Sequence, residues 1–413
     1  MAITFPASPT NGQTFTSGNK TWQWDGTTWL AYGASLSPTV LKVDAANARV
    51  GVNNQSPAYA LDVNGTIEAT QFLQGTDYLS PYQGFRNAII NGDFRINQRS
   101  FTSNTSDSTY NFDRWAQANS GGTVTVTPQT FTVGSPVATG FESANYLRMV
   151  VASQSTSGQY AGFYQHIEDV RTFANSTVTV SFWAKAASGT PKISLENTQF
   201  FGSGGSPSSY VQTPVGAVTI STSWTRYSFT FTIPSISGKT IGTTANTSSL
   251  RLFFFVSAGS ALNTTASSIG IQNNTFDIWG VQIERGSVAT PFEQRPIGTE
   301  LALCQRYYWR TTGDASNAYG SVAMGMFSAT FLAEFMIRNP VLMRSAAHTI
   351  ESSTLRTLDY QTAFAGTPVL SNGRCSSYAT HVTCTVSGAT QYRPCLLEHN
   401  NSVSAYFGVS AEL

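Results

Sequence analysis

Side chains able to do acid–base, nucleophilic or metal chemistry are few and dispersed. The chain holds 22 acidic residues, four histidines and four cysteines among 413 positions. Hydrolysis needs paired carboxylates or an activated nucleophile. Asp93, Asp113, Glu142, Glu168, Asp169, Glu196, Asp277, Glu284 and Glu293 all fall in one long segment, and no local motif joins two of them across a reactive bond. GxSxG, HExxH and phosphate-loop motifs are absent. His166, His348, His381 and His399 each lack an i,i+4 partner on a helix and read as ordinary surface or half-buried residues. Cys304, Cys375, Cys384 and Cys395 show no CxxC spacing. They read as reduced thiols of a protein made in a reducing cytoplasm. No catalytic residue can be named, and catalysis is not expected.

The aromatic residues point instead to binding. In Val178–Lys185, Val178, Val180, Phe182 and Ala184 share one strand face, while Thr179, Ser181, Trp183 and Lys185 share the other. Trp183 is therefore a candidate platform for a sugar ring, unless an extra loop covers it. Tyr160, Phe163 and Tyr164 follow a Gly/Ser-rich stretch, and Phe200 and Phe201 open the Gly/Ser-rich run at 202–206. Binding residues concentrate in such loops. Tyr164, Phe201 and Tyr210 are expected to wall a cleft with Trp183. In Leu250–Val256, a run interrupted by Arg251, Phe253 and Phe255 lie opposite Leu252 and Phe254, so that strand is expected to be buried on both faces. In Phe276–Glu284, Asp277, Trp279, Val281 and Ile283 are placed on one face, with Trp279 in the core.

Composition sets the elements that must position these residues. Charged residues make up 11% of the chain, against a usual ~25%. Ser, Thr, Asn and the 34 glycines take their place. Strands tolerate that exchange and amphipathic helices do not, so a mostly β protein is expected. A net charge of +1 without a basic stripe argues against nucleic acid. No apolar run is long enough to span a bilayer. The first residues lack the basic-then-apolar pattern of a signal peptide.

Four segments follow. Residues 1–35 read as a small β-hairpin module. Asp25-Gly26 suits the tight turn, and Trp22, Trp24 and Trp29 supply its core. Residues 36–84 hold short alternating stretches around Val40, Val43, Val50, Val52, Leu61, Val63 and Ile67. A single chain of such strands buries too little to fold alone, and three chains about one axis would share a core. The stretches Arg49–Pro57 and Ala60–Thr70 resemble the β-rich shafts of bacteriophage tail fibres, which implies a homotrimer. The WQWDGTTW module is similar to units in fibres of phages that infect cyanobacteria.

Residues 85–297 read as a β-sandwich of short strands. The opening Ile90-Asn91-Gly92-Asp93-Phe94 and the closing Trp279-Gly280-Val281-Gln282 with Glu284 resemble a jelly-roll carbohydrate-binding module of the kind carried by tail fibres. In that family a structural calcium bridges the first and last strands, and Asp93 and Asp277 occupy those places. The family's usual carboxylate after NGDF is Arg95 here, which weakens the calcium expectation; no other cofactor is expected.

Residues 298–413 open on a helix of about two turns, with Thr299 as N-cap and Glu300 in the first turn. Alternating stretches follow, as in a second β-sandwich. The run from Ile297 to Tyr308 resembles the junction between sandwich and tip in tail fibres, and the closing Ala411-Glu412-Leu413 resembles their ends. Where tips carry MRAAPT, this chain has Met343-Arg344-Ser345-Ala346-Ala347-His348-Thr349, without the proline. Tyr319, Tyr392 and Tyr406 are the candidate contact residues of the tip. The resemblance implies a trimeric receptor-binding protein of the virion, made in the host bacterial cytoplasm. Residues 1–35 would meet other tail or baseplate proteins, and the sandwich or tip would meet host surface polysaccharide. The alternatives are a purely structural baseplate, tail or capsid-surface fibre and, less favoured, a glycan depolymerase.

Overall fold

The computed structural model describes residues 3–18, 20–32, 41–44, 47–54, 56–65, 72–74, 77–79, 84–137, 141–313, 318–360, 362–365, 367–370 and 374–413. The chain divides into two compact units, Met1–Pro81 and Tyr82–Leu413.

In the first unit, β1 (Thr14–Ser17), β2 (Lys20–Trp24) and β3 (Trp29–Tyr32) form an antiparallel sheet. The turn between β2 and β3 is organised by Asp25, whose carboxylate accepts the Thr28 and Thr27 backbone N–H groups at 2.7 and 2.8 Å. Those bonds and the Thr27 hydroxyl hold its pKa down to about 2. Phe5 packs on Phe15, Trp22 and Trp29, with ring centroids 5.2–5.3 Å away. The tryptophans therefore build this small core, as expected. Next come β4 (Leu41–Asp44), β5 (Arg49–Val52) and β6 (Leu61–Val63), then the pair β7 (Phe72–Gln74) and β8 (Asp77–Leu79). β4 runs antiparallel and β6 parallel to β5. Leu61 and Tyr59 are exposed in this single chain. Val40 and Ile67 lie outside the described residues.

The second unit opens with a jelly-roll sandwich. Its strands are β9 (Ala116–Ser120), β10 (Thr123–Thr130), β11 (Asn145–Ala152), β12 (Tyr160–Ile167), β13 (Thr177–Ala186), β14 (Lys192–Phe200), β15 (Val211–Thr219), β16 (Thr225–Thr232), β17 (Ser249–Ala258) and β18 (Thr275–Arg285). One sheet has the order β10-β11-β18-β13-β16, the other β15-β14-β17-β12-β9. Between them lie Val178, Val180 and Phe182 of β13, as the alternation placed them, with Leu252 and Phe254 of β17 and Phe163 of β12, which is core rather than a binding ring. Phe163 and Phe254 stack at 4.8 Å, an arrangement that adds about 1 kcal/mol beyond burial.

Two expectations fail for definable reasons. Ile90–Phe94 is not a strand: it is an irregular segment pinned to β18, with Ala88 N–H donating to Ile283 and Val281 N–H to Gly92. The alternation of β18 also breaks. Gly280 has φ +64°, and the pairing with β13 shifts between Ser181 and Trp183. This bulge puts Val281 and Ile283 on the opposite face from Asp277 and Trp279; Trp279 packs beside Trp183 and is still fully buried in the main hydrophobic cluster, as expected.

Helix α1 (Ile297–Gln305) follows, starting three residues earlier than expected, with Pro296 rather than Thr299 at its N-cap. The remaining strands are β19 (Tyr308–Thr312), β20 (Ser321–Ala329), β21 (Leu332–Arg338), β22 (Thr349–Ser353), β23 (Leu355–Leu358), β24 (Ala363–Ala365), β25 (Pro368–Leu370), β26 (Ala379–Thr385), β27 (Pro394–His399) and β28 (Tyr406–Ser410). They form a three-stranded sheet, β19-β28-β22, and a seven-stranded sheet, β24-β23-β27-β20-β21-β26-β25. Both share a core around Trp309, Phe327, Phe335, Leu397 and Phe407.

Candidate binding groove

The outer face of the β15-β14-β17-β12-β9 sheet carries the site. Strand alternation sends Tyr164 and His166 of β12 outward, opposite Phe163 and Ile167 in the core. Register then aligns His166 with Arg251, Arg251 with Thr198, and Thr198 with Gln212, one row across four strands. The next row runs through Ser249 and Phe200, which are also paired. Tyr210 enters beside them, its ring 5.9 Å from that of Phe200.

A loop covers the other half of this face. Leu262, Ala266 and Ile269 pack over Phe253, Phe255, Tyr160 and Tyr164. This explains why β17 is buried on both faces: its outer rings are covered by the chain's own loop. The uncovered half is a groove of about 450 Å³ lined by His166, Phe200, Phe201, Tyr210, Ser249 and Leu413, with Gly202, Ser203, Ser208 and Thr247 at the rim. That volume lies within the usual ~300–1,000 Å³ of ligand sites.

Electrostatics inside the groove are balanced. Arg251 Nη2 lies 3.2 Å from Oε1 of the fully buried Glu196. Gln212 Nε2 donates to the other carboxylate oxygen at 2.6 Å, and the Thr198 hydroxyl donates to the first. The Arg251 guanidinium also sits 5.2–5.7 Å from the rings of Phe253, Phe200 and Tyr164, within cation–π range. His166 Nδ1 and the Ser249 hydroxyl are 2.9 Å apart. Burial, with Arg251, Arg114 and Arg344 nearby, pushes the imidazole pKa down to about 3, so His166 is neutral at physiological pH. The groove thus offers the aromatic faces of Phe200 and Tyr210 beside serine and threonine hydroxyls and the His166 imidazole, with the Arg251 guanidinium next to Phe200. A polyhydroxylated ring needs that combination: an apolar face to stack and edges to hydrogen-bond.

Among the expected site residues, Phe201 and Tyr210 line the groove, whereas Tyr164 lies under the covering loop. Tyr210 is 61% exposed, whereas Phe201 is 2% exposed and contributes to the wall rather than a free ring. Trp183 is not part of the groove. It belongs to the opposite sheet, is 7% exposed, and is covered by Phe292 and the Arg226 guanidinium, 4.7 Å from its ring. A Cβ on Gly280 would lie 2.7 Å from Trp183 Cε3, so the bulge glycine makes room for the indole. Of the tip tyrosines, Tyr392 lies apart from Tyr319. Arg356 lies over Tyr319 and Arg310 over Tyr406. The Tyr392 backbone bonds to Phe327, at the far end of β20 from Tyr319, roughly 20 Å along the strand.

Asp93 and Asp277 do not form a shared cation site. Asp93 pairs with Arg95. Asp277 is bound by Arg148 through two bonds of 2.7 and 2.8 Å, with Lys185 at 3.5 Å. Among the described residues, no three His, Cys, Asp or Glu side chains gather as a metal site, and no helix is long and apolar enough to cross a membrane.

Sequence reasoning named Phe200 in an aromatic binding loop, counted Glu196 only among scattered carboxylates, missed Arg251 and Ser249, and read His166 as ordinary. Arg251 carried a signal: it interrupts an apolar strand with the same parity as Phe253 and Phe255. Glu196 carried none, because its partners come from three strands.

Residues 131–249, spanning the groove strands β12, β14 and β15, match the Carbohydrate binding domain family. No curated protein matches the chain by sequence. Among solved structures, the enzymatically active domain of tailspike protein 4 of Bacteriophage CBA120 is similar at 17% identity and a TM-score of 0.28, covering 48% of this chain and 21% of that one. The CBM22-1 xylan-binding domain of Paenibacillus barcinonensis is similar at 13% identity and a TM-score of 0.26, covering 45% and 94%. The C-terminal family 22 carbohydrate binding module of a Clostridium thermocellum protein is similar at 13% identity and a TM-score of 0.27, covering 49% and 98%.

Proposed function

We propose that this chain is a receptor-binding fibre protein of a bacteriophage tail, and that its groove holds host surface glycan without cleaving it. The observation that carries the reading is the groove lined by His166, Phe200, Tyr210 and Ser249, all inside the segment 131–249 that matches a carbohydrate binding domain. Glu196, fully buried in the same sheet, is engaged by Arg251, Gln212 and Thr198. Among the described residues, no Asp or Glu side chain lines the groove, so adhesion is favoured over hydrolysis.

A shallow groove binds one sugar segment weakly, with a Kd on the order of 0.1–1 mM, or about −5 kcal/mol. Three copies would raise avidity without a tighter site. The shaft motif and the exposed Leu61 and Tyr59 beside β5 and β6 support a trimer joined there. Sedimentation equilibrium of the full chain is expected to give three copies; a folded monomer at micromolar concentration contradicts it. Residues 1–35 would attach to other tail proteins, placing the chain in the virion.

The test of glycan binding is affinity electrophoresis in gels cast with bacterial capsular and O-chain polysaccharides. At least one polysaccharide is expected to retard the wild type, and Tyr210→Ala is expected to run faster in that gel. Equal mobility of both proteins in every gel contradicts the reading.

The purely structural alternative has one observation of its own. On the outer face of the seven-stranded sheet, Met324, Met326 and Met336 are exposed, an apolar stripe of the kind that packs on other proteins.

A further inference from the structure

We infer that the groove takes the end of a glycan chain rather than an internal stretch of polymer. This rests on the glycan-binding reading above and concerns how the ligand enters. The groove crosses the strands from β12 to β15, about 14 Å for four strands ~4.8 Å apart. Its two sides are both built up. The loop carrying Leu262, Ala266 and Ile269 closes one. The Phe201–Ser203 turn, bonded to Gly242, Thr244 and Thr247, forms the other.

Its two ends differ. At β15, the last strand of the sheet, Tyr210 and Gln212 are exposed and nothing follows them in the sheet. At β12, Leu413 lines the groove. This residue arrives from the second sandwich, and the segment Ala411–Leu413 is held firmly. Ala411 N–H donates to Tyr307 at 2.7 Å. Arg344 donates to the Ala411 and Glu412 carbonyls at 2.7 and 2.9 Å. The Tyr110 hydroxyl donates to Leu413 O at 2.9 Å. Glu412 pairs with the fully buried Arg114, which also donates to the His166 carbonyl at 2.6 Å. Tyr110 is bridged to Ala116 of β9, so the segment stands beside the β9/β12 edge, across the path a polymer would need.

A channel walled on both sides and stopped at one end admits a chain terminus and excludes a chain passing through. The second sandwich thereby sets the specificity of the first.

The experiment is a printed array that presents each oligosaccharide sequence both at a free chain end and embedded within a longer chain, probed with the full-length protein and with Leu413→Gly. The wild type is expected to bind terminal presentations at least tenfold better than embedded ones, and Leu413→Gly to narrow that ratio. Equal wild-type binding to terminal and embedded forms overturns the inference and leaves glycan binding intact. Wild-type binding to no spot overturns both readings.

Discussion

Arg251 reaches Glu196 at 3.2 Å across neighbouring strands, and the carboxylate is fully buried while the guanidinium is partly open to the groove. The pair divides two roles: Glu196 fixes the position, and Arg251 presents an ordered face between aromatic rings. Arg251→Met is expected to strand the buried carboxylate and destabilise the domain by about 3 kcal/mol. Adding Glu196→Gln is expected to restore most of that stability and not the glycan affinity. Denaturant midpoints and affinity electrophoresis separate the two effects. Restored affinity in the double variant would show that Arg251 acts only as scaffolding.

His166 lines the groove and stays neutral, since its pKa lies at about 3. Glycan affinity is therefore expected to be flat from pH 5 to 8. A loss centred near pH 6 would mean that the imidazole titrates in the groove.

The same shift has a stability consequence. The folded pKa is depressed below the unfolded ~6.5, so the unfolded chain takes up the proton first. This contribution is present above about pH 6.5 and is lost as pH falls towards 3. Asp113 opposes it: burial raises its pKa from 3.8 to about 6, so the folded state binds that proton first and gains stability below pH 6. His166→Gln leaves only the second effect. Relative to wild type, the variant is expected to gain stability as pH falls from 7 to 4, by at most ~1.4 kcal/mol per unit. A constant difference across that range would contradict the assignment.

Trp183 is packed against Trp279, with ring centroids 5.2 Å apart, and under Phe292 and Arg226. Trp183→Ala is expected to cost ~3–5 kcal/mol of stability. The folded fraction is expected to keep its glycan affinity, because the residue belongs to the sheet opposite the groove. Lost affinity without lost stability would restore it as a binding platform.

Burial raises the thiol pKa of Cys384 to about 11 and of Cys395 to about 12, and pushes Cys304 upward as well. In the folded protein at pH 8, a disulfide reagent is expected to modify half-buried Cys375 well before these three. The denatured protein is expected to yield four thiols without reductant; two or none contradicts this.

The fold was largely legible because its signal is local. Alternation in Val178–Lys185 named the core face of one sheet, the nearly unbroken apolar run in Leu250–Val256 announced burial of both its faces, and the Trp-rich turn named its own cluster. Failures arose where a single residue changes parity. Gly280 flips the second half of its strand, and no neighbour of Gly280 announces the bulge. The groove was half legible. Phe201 and Tyr210 flank a Gly/Ser-rich stretch whose composition marks a loop, whereas Tyr164 sits in mid-strand under the covering loop. Arg251 was hidden inside an apolar run, Glu196 takes its meaning from partners on three strands, and Leu413 arrives from another sandwich. Contacts made across long sequence distances leave no period to read.

The central claim is that glycan is held on the uncovered half of the β15-β14-β17-β12-β9 sheet. Hydrogen-exchange footprinting of the full chain, with and without saturating amounts of a polysaccharide that retards it in the gel, tests this most directly. The account predicts added protection at 198–213 and 247–251, with the loop at 259–271 and the strand at 177–186 unchanged. Protection confined to the segments around Tyr319, Tyr392 and Tyr406, or to the strand that carries Trp183, would contradict it.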